Sequence, residues 1–241
     1  ISSLMSTLLY ILGFTLGIEA IGALSIWWSI HGTLDMTLTE ELLFSVFHSI
    51  SAFCNAGFST LSGNLGNSML MEGHYSFYIT ISMLIILGGI GFPILVNFKN
   101  VIFYYIRYAF ARLIRHKRVE KYPHLTRLNT KIAIRATIAL LIVGTAAMAL
   151  TEWNGAFADM DIAGKLTHSF FTAVTPRTAG FNTADLTAMT GAGQAIIIVL
   201  MLIGGSPGST AGGMKTVTLV VLLLFMASKA RGKGNVNVFR R

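Results

Sequence analysis

Cysteine occurs once in this chain, at Cys54, which excludes an internal disulfide and a cysteine-cluster metal site. Charge is scarce as well: 12% of the residues are charged, about half of the roughly 25% usual in a soluble domain. Acids are almost missing from residues 99 to 135, where Glu120 stands alone among ten lysines and arginines, and lysine and arginine are missing altogether from residues 31 to 74. No serine, histidine and carboxylate set stands out, and no metal-ligand spacing, so an enzyme reading finds no catalytic group to rest on. What the chain has is apolar surface, with 54% hydrophobic residues and a mean hydropathy of +0.67. These values define an integral membrane protein.

The apolar runs Leu4 to Trp28 and Ile132 to Leu150 are about the twenty residues that a helix needs to cross the hydrocarbon core. Two further regions, Tyr75 to Phe110 and Gln194 to Ala227, are apolar but interrupted, the first at Gly88 to Pro93 and the second at Gly204 to Gly213. Charge sets the sidedness. The basic segment 99 to 135 is cytoplasmic by the positive-inside rule, and the acidic segments 31 to 74 and 152 to 190 lie outside. The tail carries Lys229, Arg231, Lys233, Arg240 and Arg241 and returns to the inside. The order is in, out, in, out, in, with Trp27, Trp28 and Trp153 placed for an outer aromatic belt. The net charge of +8 is therefore a topology signal, and nucleic acid is not an expected partner. The chain begins at Ile1 with no cleavable signal pattern, and it is expected to be a piece of a longer polypeptide.

A pattern then occurs twice. Ala56-Gly57-Phe58 and Ala179-Gly180-Phe181 stand 123 residues apart, each after a short amphipathic stretch and each followed by a glycine-broken apolar segment. Both fall on the acidic face, so the repeats are parallel, unlike the inverted repeats of many secondary transporters. Glu40 to Phe53 and Lys165 to Val174 are too short to span and are expected to be re-entrant helices that stop midway, pointing their negative C-terminal ends at the bilayer centre, where a cation is favoured. The chain must climb back as extended backbone, tolerated at membrane depth only where it is buried or lines a cavity. Carbonyls of Asn55, Ala56, Gly57 and Phe58, and of Thr178, Ala179, Gly180 and Phe181, would then face an axis and replace the hydration shell of a monovalent cation. The phenylalanines are expected to wedge each turn against surrounding helices, and Cys54 to pack behind the first turn as a small apolar residue.

Ten consecutive residues, Gly204, Gly205, Ser206, Pro207, Gly208, Ser209, Thr210, Ala211, Gly212 and Gly213, hold five glycines and a proline inside an apolar span, a composition that a lipid-facing helix cannot carry. The spacing of Gly208 and Gly213 before Lys215 and Thr216 shares the outline of a phosphate-binding loop. The Walker pattern, however, requires lysine directly after the second glycine within a strand-loop-helix unit, and here Met214 intervenes. The segment is expected to be a flexible loop crossing the pore below the filter, with Lys215 as an electrostatic latch; a kinked helix is the plainer alternative. Glu19, within the first span, is a functional candidate by its depth alone, with a structural hydrogen bond to a neighbouring helix as the other reading. His48 and His168 are expected to pack or cap. Arg177 is expected to anchor the second turn to an acidic neighbour at the outer mouth.

Ser51 to Ser59, Thr175 to Asn182 and Gly205 to Thr216 together resemble the Trk/Ktr/HKT superfamily of potassium transporters, most nearly the bacterial Ktr membrane subunit. The resemblance covers nearly the whole chain. It implies four helix-pore-helix repeats around one pore, potassium uptake that is often sodium-dependent, a gate at the glycine-rich loop, homodimers in the bacterial inner membrane, and a cytosolic nucleotide-binding regulatory ring. The two repeats here match the family's second and third.

The expected protein is thus an all-α, multi-pass membrane protein of tandem parallel helix-pore loop-helix repeats. Residues 1–111 form one repeat, 112–130 a basic cytoplasmic linker, and 131–241 a second repeat with the gating loop and a basic tail. Potassium is the transported ion, held by the filter carbonyls alone, with sodium the candidate coupled ion; no cofactor is expected in the chain, and membrane lipid surrounds it. The rival reading is an alternating-access transporter of another small solute or cation.

Overall fold

The computed structural model describes residues 2–67, 70, 73–97, 128–183 and 186–232. The most basic part of the linker, with Arg115, Lys117 and Arg118, and the tail beyond Gly232 lie outside the described residues. The described chain is helical, with α1 at Ser2–Ile30, α2 at Leu38–Phe53, α3 at Tyr75–Ile90, α4 at Leu128–Glu152, α5 at Ile162–Val174, α6 at Gly191–Leu202 and α7 at Thr216–Ala230. A 3-10 turn, Asn64–Gly66, lies between α2 and α3. Met5–Ile30 and Asn129–Glu152 are long and apolar enough to cross a membrane, while α2 and α5 are too short.

The starts of the short helices follow from capping. Thr37 precedes α2 in a reciprocal box: its side chain accepts from Glu40 N, and its own N–H donates to the Glu40 carboxylate at 2.8 Å. Asp161 caps α5 in one direction only, its side chain accepting from Gly164 N at 2.9 Å. Buried carboxylates then fix the C-terminal ends of the long helices α1 and α4. Glu41 accepts from His31 Nδ1 and Gly32 N, at 2.8 and 3.0 Å, closing the turn between α1 and α2. Glu152, fully buried at the end of α4, accepts from Ala156 N, Thr190 N and Thr190 Oγ1 and so ties α4 to the cap of α6.

In the first repeat α1, α2 and α3 pack on one another, and in the second α4 packs on α5, α6 and α7. The repeats join mainly through α3 against α5. Their shared core holds Ile26, Phe44, Phe77, Tyr78, Phe171 and Phe181, burial worth roughly 1.5–3 kcal/mol for each large side chain. Outward-facing apolar residues such as Leu12 and Leu16 on α1 and Ile142 and Val143 on α4 remain exposed, as expected of helices whose solvent is lipid.

Both interrupted spans leave helical geometry. Helix α3 ends at Ile90, Gly91 has a φ of +92°, and helix resumes over 92–97. Between Leu202 and Thr216 the chain is not helical, which excludes the simple kink.

Candidate functional site

The two Ala-Gly-Phe turns are built alike. In the first, α2 stops at Phe53, Ala56 N donates back to Ser51 O at 2.9 Å, and Ser51 Oγ donates to Phe58 O at 2.8 Å. In the second, Ala179 N donates to Thr175 O at 3.0 Å and Thr175 Oγ1 to Phe181 O at 2.6 Å. A hydroxyl at the end of each short helix therefore closes each turn, with one residue fewer in the second. Gly57 and Gly180 have φ of +71° and +83°, and so do residues two places earlier: Asn55 at +53° and Thr178 at +76°. Asparagine tolerates that region, but a β-branched threonine there is strained. Neither Ser51 and Thr175 nor the paired strain was expected from the sequence. A hydroxyl in the last turn of both short helices was the available signal.

The turns touch. A Cβ on Gly57 would lie 2.3 Å from Ala179 O and 2.8 Å from the Gly180 Cα, a separation that no side chain allows. Beside the second turn, a cavity of about 270 Å³ is lined by Thr178, Ala179, Gly180 and Phe181 together with Ala56 and Met201.

Several expected placements are corrected. Phe181 is buried in the shared core, but Phe58 is 69% exposed and lies outside that core. Cys54 is also exposed, its thiol 3.9 Å from Glu19 Oε1. The backbone carbonyl of Glu19 accepts from Ser49 Oγ of α2 at 2.7 Å, a bond that does not involve the side chain, while its carboxylate meets the Cys54 thiol just past the end of α2. Arg177 is buried beside Asn55, Thr137, Gly89 and Gly205, and no acid pairs with it among the described residues. Following the C-terminal end of α5, it lies beside the breaks at Gly89 and Gly205. His48 bridges Phe44 O and Ser59 Oγ, at 2.8 and 2.9 Å, stapling α2 to the chain after the first turn. His168 packs its ring on Tyr78, with centroids 4.7 Å apart.

The glycine-rich segment is anchored where a flexible loop was expected. Its N–H groups, released by the break, find carbonyls left free at the end of α3: Ser206 N donates to Gly89 O at 2.8 Å and Thr210 N to Gly88 O at 3.3 Å, while Gly208 O accepts from Phe92 N. Its two ends pair through Gly204 N to Met214 O and Met214 N to Leu202 O. Its tip reaches both turns. Thr210 Oγ1 donates to Phe53 O at 2.9 Å and accepts from Asn55 Nδ2 at 2.7 Å, and Gly212 N donates to Thr178 Oγ1 at 3.1 Å. Lys215 Nζ donates to Ala211 O at 2.7 Å, tying the loop to itself. Gly88 permits this assembly, since a Cβ there would meet Phe53 O at 2.0 Å.

Parallel repeats of long helix, short helix ending in a left-handed turn, and broken helix give the architecture of channel-like membrane transporters. The chain belongs to the TrkH family of cation transport proteins, whose family model matches residues 1–241. It is 36% identical over its whole length to the potassium/sodium uptake protein NtpJ of Enterococcus hirae, covering 48% of that protein. It is 34% identical over 95% of its length to the Ktr system potassium uptake protein B of Bacillus subtilis, covering 46% of it. The crystal structure of the potassium transporter TrkH from Vibrio parahaemolyticus matches its fold with a TM-score of 0.64 at 20% identity, over 95% of this chain and 42% of that one. The chain spans about half the length of the curated relatives it matches.

Proposed function

We propose that this chain is the central half of a potassium uptake protein of the bacterial inner membrane, in which residues 1–111 and 131–241 are two of four repeats around one pore. The observation that carries the reading is the pair of turns meeting at Gly57 and Gly180, each with left-handed residues at two alternate positions. Alternating handedness turns successive carbonyls toward one side instead of opposite sides. The C-terminal ends of α2 and α5 add negative potential there. Asn55 to Phe58 and Thr178 to Phe181 are the filter in this reading, and the loop from Gly204 to Gly213, closed by Lys215, is the gate beneath them. The names of relatives support potassium as the ion, with sodium accompanying it.

The whole protein acts as a homodimer with a cytosolic nucleotide-binding regulatory subunit. That partner docks on the basic linker, where Arg107 to Lys131 hold eight lysines and arginines against one acid, and on the tail from Lys229. Neutralising Arg115, Lys117 and Arg118 together weakens such docking, by less at high salt, because exposed charges are screened over about 10 Å at 0.1 M.

Ion flux in liposomes containing the full-length protein tests the central reading. Potassium influx that sodium competes with poorly is the expected result. Slow, saturable flux of another solute without potassium preference overturns it in favour of alternating access.

A further inference from the structure

Asn64 lies in neither turn, yet its side chain reaches the first turn and the residue that directly follows the second. Its Nδ2 donates to Gly57 O at 3.1 Å, and its Oδ1 accepts from Leu65 N at 2.8 Å and from Asn182 N at 3.4 Å. The residue itself is held at φ +60°, a conformation that persists only where its surroundings impose it. Those surroundings are firm. The next residue, Leu65, is fully buried, and its carbonyl accepts from the Tyr78 hydroxyl of α3 at 2.8 Å. Gly66 lies flat against the second repeat, where a Cβ would stand 3.2 Å from Thr183 O. The short 3-10 turn is thus a buckle, rooted in α3 and spanning from the first turn to the stretch that follows the second.

We infer that Asn64 is a positioning residue that sets the ion preference of the filter by fixing the Gly57 carbonyl and the spacing between the two turns. The inference rests on the filter reading given above. A carbonyl oxygen has two lone pairs, so the Gly57 oxygen can accept the Asn64 amide and still face an ion. Discrimination between potassium and the smaller sodium requires that such oxygens neither swing nor close inward, and a side chain that bonds the first turn at the carbonyl and the chain just past the second at the Asn182 N–H resists both movements. Asparagine suits the position on two grounds. It tolerates positive φ, and it alone among short side chains offers an amide donor together with an acceptor.

The test uses Asn64→Gly and Asn64→Asp in the full-length protein. Both residues accept the left-handed backbone, so the turn keeps its shape. Glycine removes all three bonds; aspartate keeps the acceptor for Leu65 and Asn182 and removes the donor to Gly57. Potassium and sodium uptake are measured in liposomes, separately and in competition, with KM and maximal rate resolved. Both variants are expected to lose about three- to tenfold in preference for potassium, the span of one ordinary hydrogen bond. Equal decline of potassium and sodium rates with the preference intact marks Asn64 as a plain structural residue and overturns the inference. So does a loss confined to the glycine variant, since the carbonyl contact would then be idle. Gly57→Ser is measured alongside. Preference lost there but kept in both Asn64 variants removes Asn64 alone, whereas preference kept in all three removes the filter reading with it. If the glycine variant fails to accumulate, the isosteric aspartate variant carries the test.

Discussion

Gly57 is pressed against the Ala179 carbonyl with no room for a side chain: a Cβ on Gly57 would stand 2.3 Å from that oxygen, whereas a Cβ on Gly180 would meet nothing nearer than the Gly57 Cα at 3.6 Å. The two glycines have equivalent places in the sequence repeat but unequal room. Both carry the conformational penalty of a side chain at positive φ, about 1–2 kcal/mol. Only Gly57 adds a collision with backbone that no rotamer change relieves.

Serine substitution should therefore split the pair. Gly180→Ser is expected to fold and to lose part of its preference for potassium over sodium. Gly57→Ser is expected to lose more of that preference and much of its folded yield, because the second turn must move to admit the side chain. Size-exclusion profiles in detergent and competitive uptake in liposomes measure the two effects. Equal behaviour of the variants would show that the turns do not touch as described.

The contrast shows what the sequence could convey. Span limits follow from apolar length, and the short helices expected at Glu40 to Phe53 and Lys165 to Val174 begin a few residues earlier, at Leu38 and Ile162, because Thr37 and Asp161 cap them. Breaks at Gly88 and Gly204 were legible because glycine and proline disrupt any helix. Contacts between distant segments were not. Nothing local says that Thr210 meets Asn55 across 155 residues, or that Asn64 meets Asn182. Arg177 misled for the same reason: its charge called for an acid, but its position after α5 buries it next to Gly89 and Gly205. Phe58 and Phe181 share a motif but differ in exposure, since only the second turn faces the core between α3 and α5.

Asp161 should make stability depend on acid pH. Hydrogen bonds from the Tyr75 hydroxyl and then from Gly164 N hold its carboxyl below the usual range. A depressed carboxyl stabilises the fold above its unfolded value, near 3.9, and this contribution is lost as pH falls through the lower folded value. The asparagine introduced by Asp161→Asn still caps the helix but cannot titrate. The parent should therefore melt higher than the variant at neutral pH, with the gap closing below about pH 4. Other acids titrate in both proteins, so the difference between the two melting curves is the quantity to follow. A gap that stays constant to pH 3 would remove the charge from the explanation.

Glu152 and Gly193 should behave as one unit. The carboxylate is fully buried and satisfies three donors, and a Cβ on Gly193 would lie 2.0 Å from its Oε1. Glu152→Gln turns an amide toward groups that also donate, and Gly193→Ala pushes the carboxylate off the same groups. Each is expected to cost about 1–3 kcal/mol, the cost of leaving buried donors unpaired. Because both variants break the same bonds, their effects in the double variant should fall short of the sum. Thermal melts of the four proteins close the cycle, and strict additivity would mean that Gly193 is needed for something other than room for Glu152.

The gate is best tested at Thr210, since shortening the loop would also strip Gly88 O and Gly89 O of the N–H groups that cover the end of α3. Thr210 Oγ1 holds the loop tip to the first turn by two bonds, to Phe53 O and from Asn55 Nδ2. Valine has the same shape and neither bond. If these bonds exist only while the loop lies under the turns, Thr210→Val weakens the closed state alone, by about 1–3 kcal/mol, which raises the open population by roughly 5- to 150-fold until opening saturates. Potassium flux without any regulatory partner should rise accordingly, while preference over sodium changes little, because the turn carbonyls themselves are untouched. Higher flux with preserved preference separates a gate from a filter. A folded Thr210→Val protein that conducts no more than the parent would leave the loop a structural bridge between α3 and the broken span, holding the two repeats together without controlling the ion.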